Sequence, residues 1–181
     1  MGFDPAAVIT PVPIQQDFLI RHLTLIMARQ EHVHIITAGE NIHKAYTAAI
    51  CDLQDITHTF VFEDTDLSTN TARDDERAKA CKTSAWDAVN QVKSVSASLK
   101  IPASLVYIDP PASASVTKAV LKIRREHPDV RHSFDLSAGS KDLSMALFAL
   151  SLWLESDAYY AFTDRNGDGG PARNSLFVHW T

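Results

Sequence analysis

The sequence is poor in the residues that give a protein an obvious chemical signature. It has two cysteines and six glycines among its 181 residues. Cys51 and Cys81 have no zinc-binding spacing, and both fall in helix-like segments, so we interpret them as reduced thiols in a cytoplasmic protein. The glycines form neither a Walker P-loop nor a G-x-G-x-x-G turn, which argues against P-loop nucleotidases, nucleotide-cofactor dehydrogenases and methyltransferases.

Long apolar runs and an excess of positive charge are also lacking. No apolar run is long enough to span a membrane, and the start MGFDP has no basic residue of the kind that opens a signal peptide. The formal net charge of −5 does not support unspecific nucleic-acid binding, which requires a basic surface. It does allow a small anionic ligand in a local pocket. We expect a cytoplasmic protein without membrane contact, folded as a single domain over residues 1–181.

Short β-branched segments alternate with helical patterns along the chain. This alternation predicts an α/β, Rossmann-like fold that is doubly wound, with a mainly parallel sheet covered by helices on both faces. In such folds ligands bind beyond the carboxyl ends of the strands, where the strand order reverses. The predicted strands are 6–13, 32–37, 56–62, 104–108, 130–136, 158–163 and 175–180, and the predicted helices are 14–30, 42–53, 113–126 and 141–155, with one long or two consecutive helices over 68–100.

The stretch from Val130 to Leu154 carries the strongest functional signal. A strand ends at the compact loop DLSAGSK, residues 135–141, and a long apolar helix pattern follows. Such a turn directs backbone N–H groups at one point, where the helix dipole adds partial positive charge. Lys141 opposes that dipole, and a bound anion such as a phosphate would reconcile the lysine with its position. The alternative is that Gly139 and Ser140 simply form a capped turn.

This loop resembles the signature of CARF domains, the CRISPR-associated Rossmann folds. Their pattern is an apolar strand, D/N-x-T-G-G-T-K, and an apolar helix that carries Ser or Thr near its start. The present chain has Asp135, then Ser137-Ala138-Gly139-Ser140-Lys141, so the hydroxyls and the lysine are kept while one glycine is replaced by alanine. The tyrosine-bearing segment AYYA at 158–161 also fits the strand that follows in the family.

The resemblance implies a homodimer that binds a cyclic oligoadenylate second messenger across its two-fold axis in CRISPR-type antiviral signalling. The loops after the first, second and fifth predicted strands would hold the ligand. The apolar helix that begins at Lys141 is then either core or dimer interface. The binding residues implied are Thr10, Pro11, Thr37, Gly39, Asn41, Ser137, Ala138, Gly139, Ser140 and Lys141.

Several alternatives follow from the same resemblance. The chain is a sensor on its own, the sensor part of a longer protein with a C-terminal effector domain outside this chain, or the ligand-binding half of a winged-helix transcriptional regulator. It is alternatively a metal-independent ring nuclease, with Lys141 as the candidate catalytic residue that stabilises charge on the developing oxyanions. A Rossmann-like domain for an unrelated nucleotide, or without a ligand, is the remaining alternative.

Three groups of residues have the composition of metal ligands, but we interpret none as a metal site. His32 and His34 alternate on a strand and face the same side, yet they have no third donor nearby in the sequence. The acidic run 63–66 is interpreted as a solvated loop, and residues 164–169 (DRNGDG) as a surface turn and not a calcium loop. We therefore expect neither a metal nor a cofactor.

Overall fold

The structure is a computed structural model that describes residues 31–53, 55–68, 75–110, 112–162 and 174–178. The predicted first strand and first helix, together covering 6–30, lie outside the described residues, as does the turn at 164–169. The elements are β1 His32–Thr37, α1 Ile42–Leu53, β2 His58–Asp64, α2 Thr65–Ser68, α3 Glu76–Ser98, β3 Ala103–Ile108, α4 Ala112–Glu126, β4 Arg131–Asp135, α5 Lys141–Trp153, β5 Asp157–Phe162 and β6 Asn174–Val178.

The strands form one sheet in the order β3-β2-β1-β4-β5-β6. The first five strands pair in parallel, and β6 pairs antiparallel with β5. This confirms the prediction of a doubly wound, mainly parallel sheet. The chain steps outward from β1 to β3 on one side and then returns to the other side of β1 as β4. The strand order therefore reverses between β1 and β4, which is where this architecture binds ligands.

Helices cover both faces of the sheet. One core forms on the side of α1 and α3 and includes Ile36 and Tyr46, and the other forms on the side of α4 and α5 and includes Ile35 and Leu147. Successive residues of β1 thus enter opposite cores, because side chains alternate across a strand. All six residues of β1 are buried, as expected for a central strand of a parallel sheet.

The end of β2 differs from the prediction. The acidic run was expected to be a solvated loop, which is wrong: Glu63 and Asp64 continue the strand, paired with Tyr107 and Ile108 of β3, and Thr65 begins α2. Pairing with the neighbouring strand decides the backbone here, not the composition of the segment. Glu63 is only 1% exposed, and burial raises the pKa of its carboxyl group.

Among the described residues, no helix combines the length and the apolar character that crossing a bilayer would require.

Candidate functional site

The loops that follow β1 and β4 meet at the carboxyl edge of the sheet, at the point of strand reversal. The Thr37 hydroxyl, at the end of β1, donates a hydrogen bond to the Ala138 carbonyl oxygen. The same oxygen accepts a second hydrogen bond from the Ser144 hydroxyl at 3.0 Å. Hydrogen bonds from β1 and from α5 therefore both hold the loop after β4.

A second set of hydrogen bonds ties this loop to its own strand and to β5. The Ser137 N–H donates to Asp135 Oδ1 at 2.7 Å, and the Ser137 hydroxyl oxygen accepts from the Ala161 N–H at 2.7 Å. The Leu136 N–H donates to the Tyr159 carbonyl oxygen at 2.9 Å. Because β1, β5 and α5 all contact the loop, its backbone conformation is set before any ligand arrives.

The N-terminus of α5 leaves backbone donors available for a ligand. Ser140 is the N-cap, and its hydroxyl oxygen accepts from the Leu143 N–H at 3.3 Å. Within the described ranges, the N–H groups of Gly139, Ser140 and Lys141 donate to no other group. Gly139 and Ser140 are exposed, and a helix N-terminus favours negative charge. The arrangement suits an anion.

A cavity of about 480 Å³ lies between the two loops and α3. Its size falls within the range of small-molecule sites, roughly 300–1,000 Å³. The structure brings six of the predicted binding residues together in the wall of this cavity: Gly39, Asn41, Ser137, Ala138, Gly139 and Ser140. These residues come from two loops nearly a hundred positions apart in the chain, and the strand order makes them neighbours.

The other predicted residues lie elsewhere. Thr37 is completely buried, and its hydroxyl supports the loop after β4. Lys141 is exposed and follows the lining residue Ser140 directly, but it does not line the cavity itself. Thr10 and Pro11 lie outside the described residues.

The predicted binding residues did not include those that α3 and the end of β2 contribute to the cavity. Lys82 and Cys81 of α3 line the cavity, as do Asp64 and, from the first loop, Glu40. Lys82 adds a cation to the wall of the site, but the sequence showed it only as one of several charges on a surface helix. No local signal distinguishes it, because its position depends on how α3 packs over α1.

The thiol of Cys81 is paired with an acid in this wall. A hydrogen bond with Glu40 and the charge of that carboxylate raise the pKa of the Cys81 thiol, and the nearby Arg77 opposes this change. The cavity therefore presents a neutral thiol and not a reactive thiolate at neutral pH.

His32 and His34 face the same side of the sheet, as predicted, and both are fully buried. Burial lowers the pKa of His32 to about 4, although its hydrogen bond to Asp55 opposes the change. In the part of the chain that the structure describes, no three histidine, cysteine, aspartate or glutamate side chains are grouped as metal ligands would be.

Comparison with known proteins rests on structure alone. No protein-family model matches the chain, and neither does any curated protein sequence. Solved structures share the fold at low sequence identity, three of them as follows. Csm6 of Enterococcus italicus, bound to cyclic hexa-2'-fluoro-hexa-dAMP, matches with a TM-score of 0.54 and 8% identity, over 76% of this chain and 35% of that one.

The two other structures match to a similar extent. Can2 of Sulfobacillus thermosulfidooxidans, in complex with cyclic tetra-adenylate, has a TM-score of 0.52 and 9% identity over 83% of this chain and 37% of its own. Protein VC1899 of Vibrio cholerae has a TM-score of 0.50 and 10% identity over 82% and 36%. This chain thus spans about a third of the length of the proteins it matches. The likeness confirms the expected Rossmann-like fold.

Proposed function

We propose that this domain senses a cyclic oligoadenylate, which binds in the cavity between the loops after β1 and β4, in CRISPR-type antiviral signalling in the cytoplasm. The observation that carries the proposal is the set of N–H groups of residues 139–141, which have no hydrogen-bond partner in the described part of the chain and lie where the strand order reverses. Solved structures of this fold that contain cyclic nucleotides support the choice of ligand class.

The phosphodiester groups are placed at the N-terminus of α5. Their oxygens accept hydrogen bonds from the N–H groups of Gly139 and Ser140, which are both exposed at the start of the helix. Ser140 accepts from the Leu143 N–H through its hydroxyl oxygen, so its own O–H is left to donate to the ligand. Lys82 in the wall and Lys141 beside the loop supply positive charge.

The two carboxylates in the cavity wall restrict where the phosphates can lie. Glu40 and Asp64 repel anions, so the phosphodiester groups are placed away from them, toward Gly139 and Ser140. Carboxylates accept hydrogen bonds from amino and hydroxyl groups, and an adenosine offers both. Glu40 and Asp64 therefore face the base or the ribose.

A second copy of the chain completes the site. A ring of several nucleotides is larger than a single cavity of about 480 Å³ can enclose. The helix that begins at this cavity, α5, buries Leu143, Leu147 and Leu150 against the sheet. It leaves an apolar stripe exposed on its outer face: Met145 (71% exposed), Phe148 (49%), Leu152 (45%) and Trp153 (67%). When the same stripe of a second copy packs against it, the cavities of the two copies face one cyclic ligand.

In this scheme the homodimer acts as the sensor, and its output is delivered by an effector domain outside this chain. The loop after β4 links the two events, because it contacts the ligand through Ser140 and continues directly into the interface helix α5.

Calorimetric titration of the purified chain with cyclic tri-, tetra- and hexa-adenylate tests the proposal. We expect saturable binding of one ring size with one ring per two chains, and little binding of linear tetra-adenylate, which lacks the closed ring. Absence of binding for every ring would overturn the proposed function. Chromatography of the same samples for linear products decides whether the protein also acts as a ring nuclease.

A further inference from the structure

A row of buried polar side chains runs along the sheet beneath the cavity. His32 Nδ1 lies 2.7 Å from Asp55 Oδ1, and His32 Nε2 lies 2.7 Å from Ser133 Oγ. The same serine oxygen lies 2.7 Å from His34 Nδ1. His32, His34, Ser133 and the next acid along β4, Asp135, are all 0% exposed.

The partners determine where the protons lie in this row. A carboxylate only accepts, so His32 Nδ1 must carry the proton that is donated to Asp55. Because burial keeps the pKa of His32 at about 4, its Nε2 is bare at neutral pH and accepts the single Ser133 hydroxyl proton. The serine oxygen then accepts from His34 Nδ1–H. A neutral His34 therefore has no proton on Nε2.

The row ends in two buried acceptors that face each other. His34 Nε2 lies 3.8 Å from Asp135 Oδ2, which is too long for a hydrogen bond. Neither atom has a hydrogen-bond partner among the described residues. Buried polar atoms are rarely left without partners, because each loses its hydrogen bonds to water. The two atoms are nevertheless within ion-pair distance, so one proton taken up by either atom replaces the repulsion between two facing acceptors with an attractive contact.

Asp135 connects this pair to the cavity. Its other oxygen, Oδ1, accepts a hydrogen bond of 2.7 Å from the Ser137 N–H, and Ser137 lines the cavity. A negative charge on Asp135 thus lies directly under the loop that is proposed to hold phosphate, in a place where water cannot screen it.

We propose that His34 and Asp135 form a buried one-proton site, and that its occupancy rises when an anion binds in the cavity. Ligand binding then takes up one proton from solvent, and affinity increases as pH falls. The identity of the anion rests on the proposed function, but the proton site itself does not. Phosphodiesters do not titrate near neutral pH, so any such pH dependence belongs to the protein.

The side chains in contact with His34 are uncharged, which indicates that the proton is gained by the pair His34 and Asp135. Tyr46 of α1 and Tyr159 of β5 contact its ring with centroids 6.4 and 6.2 Å away, and Thr59 pairs with it from β2. None of these three groups is charged at neutral pH. The charged groups are the hydrogen-bond partners of these neighbours. Asp52 accepts from Tyr159, and Asp55, which is paired with Arg131, accepts from His32.

The ligand-free protein provides the first test. Nitrogen NMR of the histidine-labelled protein distinguishes a bare Nε2 from a protonated one for each imidazole. We expect the His34 signal to change with pH and to be altered by Asp135→Asn, whose amide can donate to Nε2 while its oxygen still accepts from Ser137. A His34 Nε2 signal that changes neither with pH nor in Asp135→Asn would overturn the proposed proton site.

The second test measures protons directly during binding. Calorimetry with cyclic tetra-adenylate in two buffers of different ionisation enthalpy gives the number of protons taken up. We expect an uptake approaching one, with affinity rising by up to about tenfold per pH unit on acidification. In Asp135→Asn the uptake falls toward zero and the affinity becomes nearly independent of pH.

His132→Gln is the matched control, because His132 is also buried on β4 but lies on the opposite face from Ser133. It should keep the proton uptake of the wild type. Binding without proton uptake in the wild type would overturn the linkage while leaving the proposed function intact. If no cyclic oligoadenylate binds, the proposed function fails, and the NMR titration still decides whether the proton site exists.

Discussion

Gly39 and Gly139 lie against each other where the two loops of the site meet: a Cβ atom on Gly39 would stand 2.7 Å from the backbone nitrogen of Gly139. Gly139 has a φ of +87°, and a Cβ there would stand 2.6 Å from the Thr37 side chain. The same Cβ on Gly39 would also stand 3.1 Å from the Ala138 Cβ. Ala138 thus fits where the family pattern has glycine, because the residue opposite it has no side chain.

Gly39→Ala should destabilise the fold and distort the site, because the added methyl group meets backbone atoms that cannot rotate away. We expect a loss of about 1–3 kcal/mol in the free energy of unfolding, the usual effect of overpacking. Urea unfolding followed by circular dichroism measures it. Glu40→Ala, an exposed neighbour in the same loop, is the control and should change stability little. Equal midpoints for Gly39→Ala and wild type would contradict the packing described here.

Lys82→Ala should weaken binding of the cyclic ligand by about 1.5–3 kcal/mol, the range for hydrogen bonds to charged groups. Lys82 lines the cavity, whereas Lys79, one turn earlier on α3, is exposed and paired with Glu76 at 3.0 Å. Lys79→Ala is therefore the matched control. Calorimetry on both variants distinguishes a direct contact between Lys82 and the ligand from a general effect of the positive charge on the helix. A similar loss for the two lysines would assign the effect to net charge.

Lys141→Ala tests the residue that the sequence favoured most. Lys141 is exposed and does not line the cavity, so it must reach the ligand over the edge of the loop or from the partner copy. We expect a loss of binding of about 1.5–3 kcal/mol if it contacts a phosphate, with no change in the unfolding midpoint. Unchanged affinity would remove Lys141 from the site while leaving Gly139 and Ser140 in it.

Met145→Glu should convert the proposed homodimer to a monomer, because a buried charge without a partner at an apolar interface is strongly unfavourable. Met145 is 71% exposed on the single chain, so folding of the monomer should be little affected. Light scattering after gel filtration gives the molar mass. Ala114→Glu, at an exposed position of α4, is the control. A wild-type chain that is monomeric at all concentrations, with and without ligand, would contradict the dimer.

Acid should destabilise the protein through its buried histidines. Burial lowers the pKa of His32 and of His132 to about 4, from an unfolded value of 6.5. Between these values the unfolded chain binds more protons, so the free energy of unfolding falls as pH drops from 6.5 toward 4, and each stabilising contribution is complete above 6.5. Each contribution is of the order of 3 kcal/mol.

Comparing wild type and His132→Gln isolates one of these contributions. Urea unfolding at about pH 7 and about pH 4.5 gives the loss on acidification for each protein. The variant should lose less than the wild type, because glutamine does not titrate. An equal loss in both would show that His132 is already protonated in the folded state or accessible to water.

Local pattern predicted much of the secondary structure. The segment HVHIIT was predicted as a strand and Ile42 to about Leu53 as a helix, and the structure has β1 and α1 over those residues. The prediction that a helix begins at Lys141 is also confirmed. Periodicity, caps and small-residue turns are short-range features, so they identify an element without knowledge of the elements that pack against it. The acidic end of β2 was missed because its conformation depends on pairing with β3, a partner some forty positions away.

By itself, the sequence determined that the chain alternates strands and helices around a buried parallel sheet, and that a small-residue loop with a lysine follows one of the strands. Only the tertiary structure decided that β1 lies between β2 and β4, which places that loop against Gly39, Lys82 over the cavity and His34 facing Asp135. The physical reason is that hydrophobic periodicity specifies which face of a segment is buried, whereas the identity of the neighbouring strand depends on contacts between residues far apart in the chain.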